Sequence, residues 1–481
     1  MRNSVIFQLV GTFLVVFSLV LLVPLGVAFY YQETLYHMAG YVVASIASFV
    51  LGYLARLSAG EEGKRDPTIL EAMFATVLGW TLATSFAALP FLTYMGMMDA
   101  FFEAAAGLTT TGISMFLEPE ALPRSLLFWR SFMQWVGGLG ILTFFIAVIR
   151  ESGGISRKLF SAEAHKTDPG SIRPSLTKSI FALWKVYGFM TILITATYIA
   201  LGVPYFDAFL HAFSAISTGG FSTMGASIAG FDSQAVELAT TVFMFIGGVN
   251  FVLLYRALQG EMSPMLDNSE FKLYFKIFSL VTGLMAIELL FKGMAPVNAL
   301  LDSMFQSAAV VSSTGYSTMS LMSLSVALQA VFIAVMFVGG SLGSTAGGLK
   351  MFRLKAMMEL LKTRIRAYSL PETAINEVEL DGQILEKSTV RTIAVLFFAW
   401  TGTVFIATLF VLALEDISFM AALSGSVSSA GNMGPVYLAG EKLVSLNPGV
   451  KLVWLIVMLA GRLEMLPVLA IFNSDLFKDS Q

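Results

Sequence analysis

Long apolar stretches separated by short polar connections run through this chain of 481 residues. A helix that crosses a lipid bilayer needs about 20 mostly apolar residues. Ten stretches have that character and are each predicted to span the membrane: 5–29, 38–57, 69–95, 125–149, 181–202, 235–257, 273–293, 324–349, 389–413 and 449–472. The pattern therefore predicts an all-α membrane protein with ten transmembrane helices.

Four short runs rich in Ser, Thr and Gly lie between pairs of these predicted spans, at residues 109–114, 217–223, 312–318 and 428–434. The gaps that hold them are too apolar for ordinary loops and too short to cross the bilayer and return. Each gap is predicted to contain a short helix that enters the membrane part-way and an extended segment that leaves on the same side. Four such copies predict pseudo-fourfold helix–pore-loop–helix repeats around one axis, with backbone carbonyls facing a dehydrated cation.

The repeats divide the chain into an N-terminal extension of two helices and four pore units. The extension is predicted at residues 1–60. The four pore units are predicted at residues 66–152, 175–260, 270–366 and 386–475.

A residue that could cap a short helix precedes each run, namely Asp99, Asp207, Asp302, and Asp416 or Ser418. In the first three units, a glycine follows this residue at a spacing of 13, 12 and 13 positions, at Gly112, Gly219 and Gly315. In the fourth unit, Gly431 lies 13 positions after Ser418 and Gly434 lies 16 after it. The spacing favours Gly431 as the equivalent glycine without separating the two firmly.

Composition agrees with a membrane protein. Hydrophobic residues make up 56% of the chain and charged residues 13%, whereas soluble proteins carry about 25% charge. The net charge of -3 excludes a strongly basic protein that binds nucleic acid. The absence of cysteine and the presence of only three histidines argue against thiolate or histidine metal sites.

Lys and Arg residues predict the orientation in the membrane, because cytoplasmic connections are enriched in them. The connection from Arg150 to Lys178 is basic, and so is the segment 353–366 after the eighth predicted span. Both termini are therefore predicted to be cytoplasmic, and the four polar runs are predicted to open outward.

The segment from Gly339 to Gly348 contains too much glycine for a continuous helix. Broken backbone at membrane depth is tolerated where it is buried or lines a water-filled cavity. We predict a flexible intramembrane loop at 339–349 that obstructs a pore below the polar runs and acts as a gate. Arg462 lies within the last apolar stretch and is predicted to face the pore, whereas Arg130 is predicted to be interfacial or to support the polar runs.

These motifs together resemble those of TrkH-type potassium transporters, whose superfamily also includes KtrB and the plant and fungal HKT/Trk proteins. The resemblance covers essentially the whole chain. It rests on the four polar runs and on three further segments at 135–138, 339–350 and 461–464.

The resemblance implies a K⁺-channel-like fold in a multi-pass protein of the cell membrane that forms a homodimer. It also implies one K⁺ pathway per subunit and a cytosolic TrkA-type ring that binds nucleotides and controls the gate. This chain has no strand–GxGxxG–helix unit of its own, so any nucleotide is expected to bind the partner. The basic segment from Lys350 to Arg366 is a candidate docking surface.

Residue roles follow from the same resemblance. The residues expected to bind K⁺ in the selectivity filter are Thr110, Thr111, Gly112, Ser217, Thr218, Gly219, Ser313, Thr314, Gly315, Ser429, Ala430 and Gly431. The residues expected to form the gate are Gly343, Ser344, Thr345, Ala346, Gly347, Gly348, Lys350 and Arg462. Gly112 favours K⁺ because the sodium-selective relatives resemble one another in having serine there. Ala430 and Asn432 make the fourth filter the least similar to the others.

Other functions compete with potassium transport. Within the same fold, Na⁺ permeation or cation symport coupled to H⁺ or Na⁺ remains open. A voltage-gated channel would need a helix with Arg or Lys at every third position, and the sequence contains none. A carrier with alternating access would predict inverted repeats, whereas these repeats are predicted to share one orientation. Residues 339–343 match G-x-S-x-G, which permits an intramembrane serine protease with Ser341 and a base at His37 or His211.

Overall fold

Helices form nearly all of this computed structural model, which describes residues 1–151, 176–369, 371 and 377–471. The strands found in this part of the chain are a short antiparallel pair, Glu379–Leu380 and Gln383–Ile384. The predicted helical class is therefore confirmed. Most of the basic connection between Arg150 and Lys178 lies outside the described residues.

In chain order, the α-helices are α1 Asn3–Val20, α2 Val23–Tyr30, α3 Leu35–Ala59, α4 Ile69–Ala88, α5 Met97–Leu108, α6 Arg124–Glu151, α7 Leu176–Ala200, α8 Tyr205–Ile216, α9 Gln234–Gly247, α10 Phe251–Leu258, α11 Ser263–Asp267, α12 Ser269–Phe291, α13 Pro296–Val311, α14 Val326–Val338, α15 Met351–Ala367, α16 Lys387–Leu414, α17 Phe419–Gly431, α18 Gly440–Val444, α19 Pro448–Arg462 and α20 Leu466–Ile471. Short 3₁₀ helices lie at Glu62–Lys64, Leu89–Thr93, Pro119–Ala121, Ser227–Phe231 and Leu321–Ser323.

Six helical segments of the described chain are long and apolar enough to cross a membrane. They are Asn3–Tyr30, Leu35–Ala59, Ile69–Thr93, Leu183–Ala200, Ser269–Phe291 and Lys387–Leu414. A seventh results if α9 and α10, which are bent by 111° at their junction, are counted as one span. The chain is thus a multi-pass membrane protein, and the number of ten spans stays a prediction.

Glycine ends one of the predicted spans early. Helix α14 stops at Val338, because the next residue, Gly339, has a φ of 71° that leaves the helical region. The backbone is then non-helical up to Lys350, where α15 follows. The predicted break in the span 324–349 is therefore present in the structure.

Four short helices, α5, α8, α13 and α17, lie in the four gaps that hold the polar runs. Their last turns are almost fully buried; α5, α8 and α13 end directly before their polar runs, and α17 ends at Gly431 within its run. The C-terminal end of a helix carries partial negative charge. Four such ends are therefore present at the polar runs.

The predicted helix caps are wrong in three of four cases. Ser418 does cap α17, since its side chain accepts a hydrogen bond from the backbone N–H of Ala421 at 3.2 Å. The other three helices have Gly96, Pro204 and Ala295 at the N-cap, and none of these makes a side-chain capping bond. The three aspartates lie inside the helices instead: Asp99, Asp207 and Asp302.

These aspartates bind residues beyond the short helices. Asp207 accepts a hydrogen bond from the Thr223 hydroxyl at 2.7 Å, and Asp302 accepts one from the Thr318 hydroxyl at 3.1 Å. Asp99 forms an ion pair with Lys451 of α19. In the second and third units, the carboxylate thus ties the short helix to the segment that leaves its polar run.

The N-terminal extension packs through a close contact between two glycines. In α3, a Cβ added to Gly52 would lie 2.8 Å from the Gly11 carbonyl oxygen, and one added to Gly11 would lie 2.6 Å from that of Gly52. Nearby, the Ser48 hydroxyl donates to the Leu14 carbonyl oxygen at 2.9 Å. Small residues let the helix backbones approach in this way.

Gly52→Leu is expected to separate α1 from α3 and to lower thermal stability, since overpacking costs about 1–3 kcal/mol. The thermal unfolding midpoint of detergent-purified protein measures this effect. Gly26→Leu is the matched control, because nothing lies within 4 Å of a Cβ added there. Equal midpoints for the two variants would contradict the role of the glycine contact.

Candidate functional site

The four short helices end in the same backbone turn. At each turn, a residue other than glycine has a positive φ, which is uncommon, and a glycine with positive φ follows two positions later. The pairs are Thr110 (57°) and Gly112 (77°), Thr218 (52°) and Gly220 (80°), Ser313 (59°) and Gly315 (78°), and Asn432 (51°) and Gly434 (95°). The four turns are therefore equivalent in backbone geometry.

Hydrogen bonds give the same alignment. At every turn, the N–H of the first positive-φ residue donates to the carbonyl three positions earlier, at 3.1 to 3.4 Å; these donors are Thr110, Thr218, Ser313 and Asn432. In three turns, the next N–H donates to the carbonyl five positions earlier; these donors are Thr111, Gly219 and Met433. The φ angles and the backbone hydrogen bonds thus give the same register for the four turns.

This register corrects two of the predicted equivalences. Gly220, rather than Gly219, is the counterpart of Gly112, and Gly434, rather than Gly431, is the counterpart in the fourth turn. Ser429, Ala430 and Gly431 belong to the last turn of α17. Gly220 lies 13 positions after Asp207, so the second spacing of 12 was one residue short. In the fourth unit the count began at Ser418, the N-cap of α17, whereas Asp99 and Asp207 are the third residues of α5 and α8, so that count was three residues short.

The four turns meet in a closed ring. A Cβ added to three of the turn glycines would overlap with the carbonyl oxygen of the next turn, in the pairs Gly112 with Gly219, Gly220 with Thr314, and Gly315 with Met433. A Cβ on Gly434 would lie 3.1 Å from the carbonyl oxygen of Thr111, which returns the sequence of contacts to the first turn. Because each turn contacts the next in chain order, the four lie around one common axis.

A buried ion pair supports the first turn and reaches the second. Arg130 Nε lies 2.8 Å from Glu103 Oε1, and the two side chains are 3% and 0% exposed. Arg130 also donates to the Ser222 carbonyl oxygen at 3.0 Å and to the Ser114 hydroxyl at 2.9 Å. Glu103 accepts from the Met115 N–H at 2.6 Å. Arg130 is thus buried between the two turns rather than interfacial.

Sequence reasoning missed Glu103 and Gln134. Both are fully buried polar residues close to the ring. A carboxylate within an apolar short helix, together with an arginine in the following span, was a usable signal, because buried charges are paired. Nothing in the sequence indicated a partner for Gln134.

The glycine-rich segment contacts the last residue of α8, directly before the second turn, and the third turn. The Thr345 hydroxyl donates to the Ile216 carbonyl oxygen at 2.8 Å, and the Gly347 N–H donates to the Ser313 hydroxyl at 2.7 Å. The Lys350 ammonium group donates to the Ala346 carbonyl oxygen. Hydrogen bonds therefore attach the segment to the ring.

The remaining residues of this segment shape its backbone. The Gly343 carbonyl oxygen accepts from the Phe251 N–H at 3.1 Å, where α10 begins. Ser344 donates to the Ser341 carbonyl oxygen. Gly348 has a φ of 84°, a conformation that favours glycine. The segment is thus a folded, internally bonded loop.

Arg462 is buried, with 4% of its surface exposed. Its guanidinium group donates to the Thr345 carbonyl oxygen at 3.1 Å and to the Gly137 carbonyl oxygen at 2.9 Å. Arg353 pairs with the neighbouring Glu464 at 2.5 Å. Arg462 therefore contacts both the glycine-rich loop and the first unit.

Within the described part of the chain, neither His37 nor His211 is hydrogen-bonded to Ser341. His211 Nε2 lies 2.9 Å from the Ser222 hydroxyl, and its Nδ1 lies 2.8 Å from the Asp207 carbonyl oxygen. His37 contacts Tyr94. The Ser341 N–H donates to the backbone carbonyl of Gly248.

Comparisons with known proteins agree with this architecture. The chain is 28% identical over 495 residues to the Trk system potassium uptake protein TrkH of Salmonella typhimurium, with full coverage of both chains. An uncharacterised cation transporter of Methanocaldococcus jannaschii is 28% identical, with coverage of 98% of this chain and 96% of the relative. The crystal structure of the potassium transporter TrkH from Vibrio parahaemolyticus is similar with a TM-score of 0.87, at 27% identity and 99% coverage of each chain.

The family model for TrkH, described as a cation transport protein, matches residues 36–480. That match covers most of the chain, and the members of the family are transporters rather than enzymes. The chain therefore belongs to the TrkH family of cation transport proteins.

Proposed function

We propose that this protein takes up K⁺ across the cell membrane through the ring of four turns. The observation that carries the proposal is the cyclic contact of each turn glycine with the next turn. Relatives that match 98% or more of the chain are described as potassium uptake proteins. A ring of backbone carbonyls can replace the hydration shell of K⁺.

The proposed selectivity filter contains four residues from each turn, in the register given by the backbone. They are 109–112, 217–220, 312–315 and 431–434. The short helices direct the negative ends of their dipoles toward this ring, which favours a cation over an anion. Glycine is required where a side chain would overlap with the neighbouring carbonyl.

The glycine-rich loop is the proposed gate. Its residues 343–350 lie between α14 and α15 in the chain, and two hydrogen bonds attach the loop to Ile216 and to Ser313 of the third turn. Arg462 places a fixed positive charge against this loop. A cation that leaves the ring would be repelled by that charge, so conduction requires the loop and Arg462 to move apart.

The proposed assembly has ten spans with both termini in the cytoplasm, built from the N-terminal extension and the four pore units. Two copies form a homodimer, and a TrkA-type ring that binds nucleotides contacts α15. Helix α15 exposes cationic side chains such as Lys362, Arg364 and Arg366. An exposed basic helix suits contact with a partner surface of opposite charge.

A filter that also passes Na⁺ is the second candidate. The fourth turn differs from the others, because Asn432 and Met433 stand where the first turn has Thr110 and Thr111. The ring contact is also looser at Gly434 than at the other three turns. A ring whose four turns differ in this way is expected to discriminate less strongly between K⁺ and the smaller Na⁺.

Gly112→Ser is expected to raise Na⁺ flux relative to K⁺, because the added side chain overlaps with the Gly219 carbonyl oxygen and displaces it. Competitive cation flux into proteoliposomes measures the ratio. Gly283→Ser, where nothing lies within 4 Å of the added Cβ, is the control and should keep the wild-type ratio. An unchanged ratio in Gly112→Ser would count against the filter assignment.

Arg462→Ala is expected to raise K⁺ flux about tenfold, because it removes a buried positive charge from the pathway. A tenfold change corresponds to about 1.4 kcal/mol. The initial rate of K⁺ flux per reconstituted protein measures this. Arg462→Lys retains the charge and should stay close to the wild-type rate. Lower flux in a folded Arg462→Ala protein would contradict the gate proposal.

Rb⁺ uptake into vesicles that contain this chain alone tests ion coupling. None of the proposed filter residues has a titratable side chain, so uptake down the Rb⁺ gradient is expected to be independent of an imposed proton gradient. Uptake that occurs only with the proton gradient would favour H⁺ symport instead.

A further inference from the structure

The backbone conformation at Gly219 does not require a glycine. Unlike its neighbour Gly220, it has a negative φ, a conformation that any residue can adopt. The equivalent positions in the other turns are Thr111, Thr314 and Met433, all of which carry a side chain. The absence of a side chain at 219 therefore needs a cause outside the turn.

That cause is Gln134, which comes from the first unit. A Cβ added to Gly219 would overlap with the side-chain amide of Gln134, and its distance to Gln134 Nε2 would be 2.8 Å. Gln134 lies in α6 and is 0% exposed. Its amide thus fills the space that a side chain at 219 would occupy.

The amide of Gln134 makes three hydrogen bonds with the second unit. Its Nε2 donates to the Gly219 carbonyl oxygen at 2.6 Å. Its Oε1 accepts from the Ser214 hydroxyl at 2.7 Å and from the Phe221 N–H at 3.2 Å. These three bonds are all consistent with one orientation of the amide, and they hold the turn on both sides of Gly220.

The first and third turns use their own side chains instead. The Thr111 hydroxyl lies 2.7 Å from that of Thr109, and the Thr314 hydroxyl lies 2.7 Å from that of Ser312. In the second turn, Ser217 has no such partner at 219 and donates to the Phe213 carbonyl oxygen at 2.7 Å. The second turn is thus stabilised by a residue from another unit.

We propose that Gln134 is a positioning residue. Its amide takes the place of the side chain that the second turn lacks at Gly219, and it thereby sets the preference for K⁺ over Na⁺. This inference rests on the proposed function of the ring as a selectivity filter. Gln134 fixes the direction of the Gly219 carbonyl, which contacts Gly112 in the first turn. Without that hydrogen bond, the Gly219 carbonyl can shift toward a smaller ion. The variant protein would therefore lose selectivity for K⁺ and still conduct K⁺.

The first experiment measures the K⁺/Na⁺ flux ratio of Gln134→Ala and Gln134→Met in proteoliposomes. Both variants remove the three hydrogen bonds. Methionine keeps most of the volume of the glutamine side chain, so Gln134→Met still tests the proposal if Gln134→Ala does not fold. The ratio is expected to fall about tenfold, which corresponds to about 1.4 kcal/mol, the scale of one buried hydrogen bond. K⁺ flux itself should persist.

The second experiment tests for rescue. Gly219→Thr alone should abolish selective transport, because its side chain overlaps with Gln134. The double variant Gln134→Ala, Gly219→Thr gives the second turn the hydroxyl that the first and third turns have, and it should recover K⁺ flux and selectivity. A purely structural role of Gln134 would not produce this reciprocal recovery.

Gly220→Ser is the matched control. A Cβ at Gly220 overlaps with the backbone carbonyl of Thr314, so Gln134→Ala should not rescue it. The role of Gln134 would be overturned by a wild-type K⁺/Na⁺ flux ratio in folded Gln134→Met, or by a double variant that transports no better than Gly219→Thr. In either case the filter proposal stands if Gly220→Ser loses selectivity. A wild-type ratio in Gly220→Ser as well would overturn the filter proposal itself.

Discussion

The contact between each turn glycine and the carbonyl of the next turn is the constraint on which the rest of the structure depends. Three of these contacts are so close that any side chain would overlap with a backbone oxygen. Backbone atoms cannot move aside as a flexible side chain can, so the spacing between turns is set by the main chain. The short helices, the ion pair and the loop all act by holding this ring in position.

Each junction between neighbouring turns is held by different side chains. Arg130 and Gln134 join the first turn to the second. The Tyr316 hydroxyl donates to the Phe221 carbonyl oxygen at 3.2 Å between the third and second units, and the Tyr437 hydroxyl donates to the Gln329 carbonyl oxygen at 3.0 Å between the fourth and third. Asn432 donates to the Thr111 hydroxyl at 2.9 Å between the fourth and first. The backbone is fourfold in pattern, whereas its side-chain support is not.

Sequence alone predicted what depends on local composition. Long apolar stretches gave the helices, the polar runs located the four turns, and clustered glycine located the break after Val338. The register of the turns was missed at Gly220 and Gly434, because it depends on φ values and on contacts between units. Gln134 was missed for the same reason, since its partners Ser214 and Gly219 are 80 and 85 residues away along the chain.

The pairing of Gln134 with Gly219 has a consequence for how such a ring can evolve. In an assembly of four identical subunits, any change in the wall of one turn is copied to all four at once. Here the four turns are encoded separately on one polypeptide, so a side chain can be lost from one turn and replaced by a residue from its neighbour. A single-chain ring can therefore change the support of its turns one at a time.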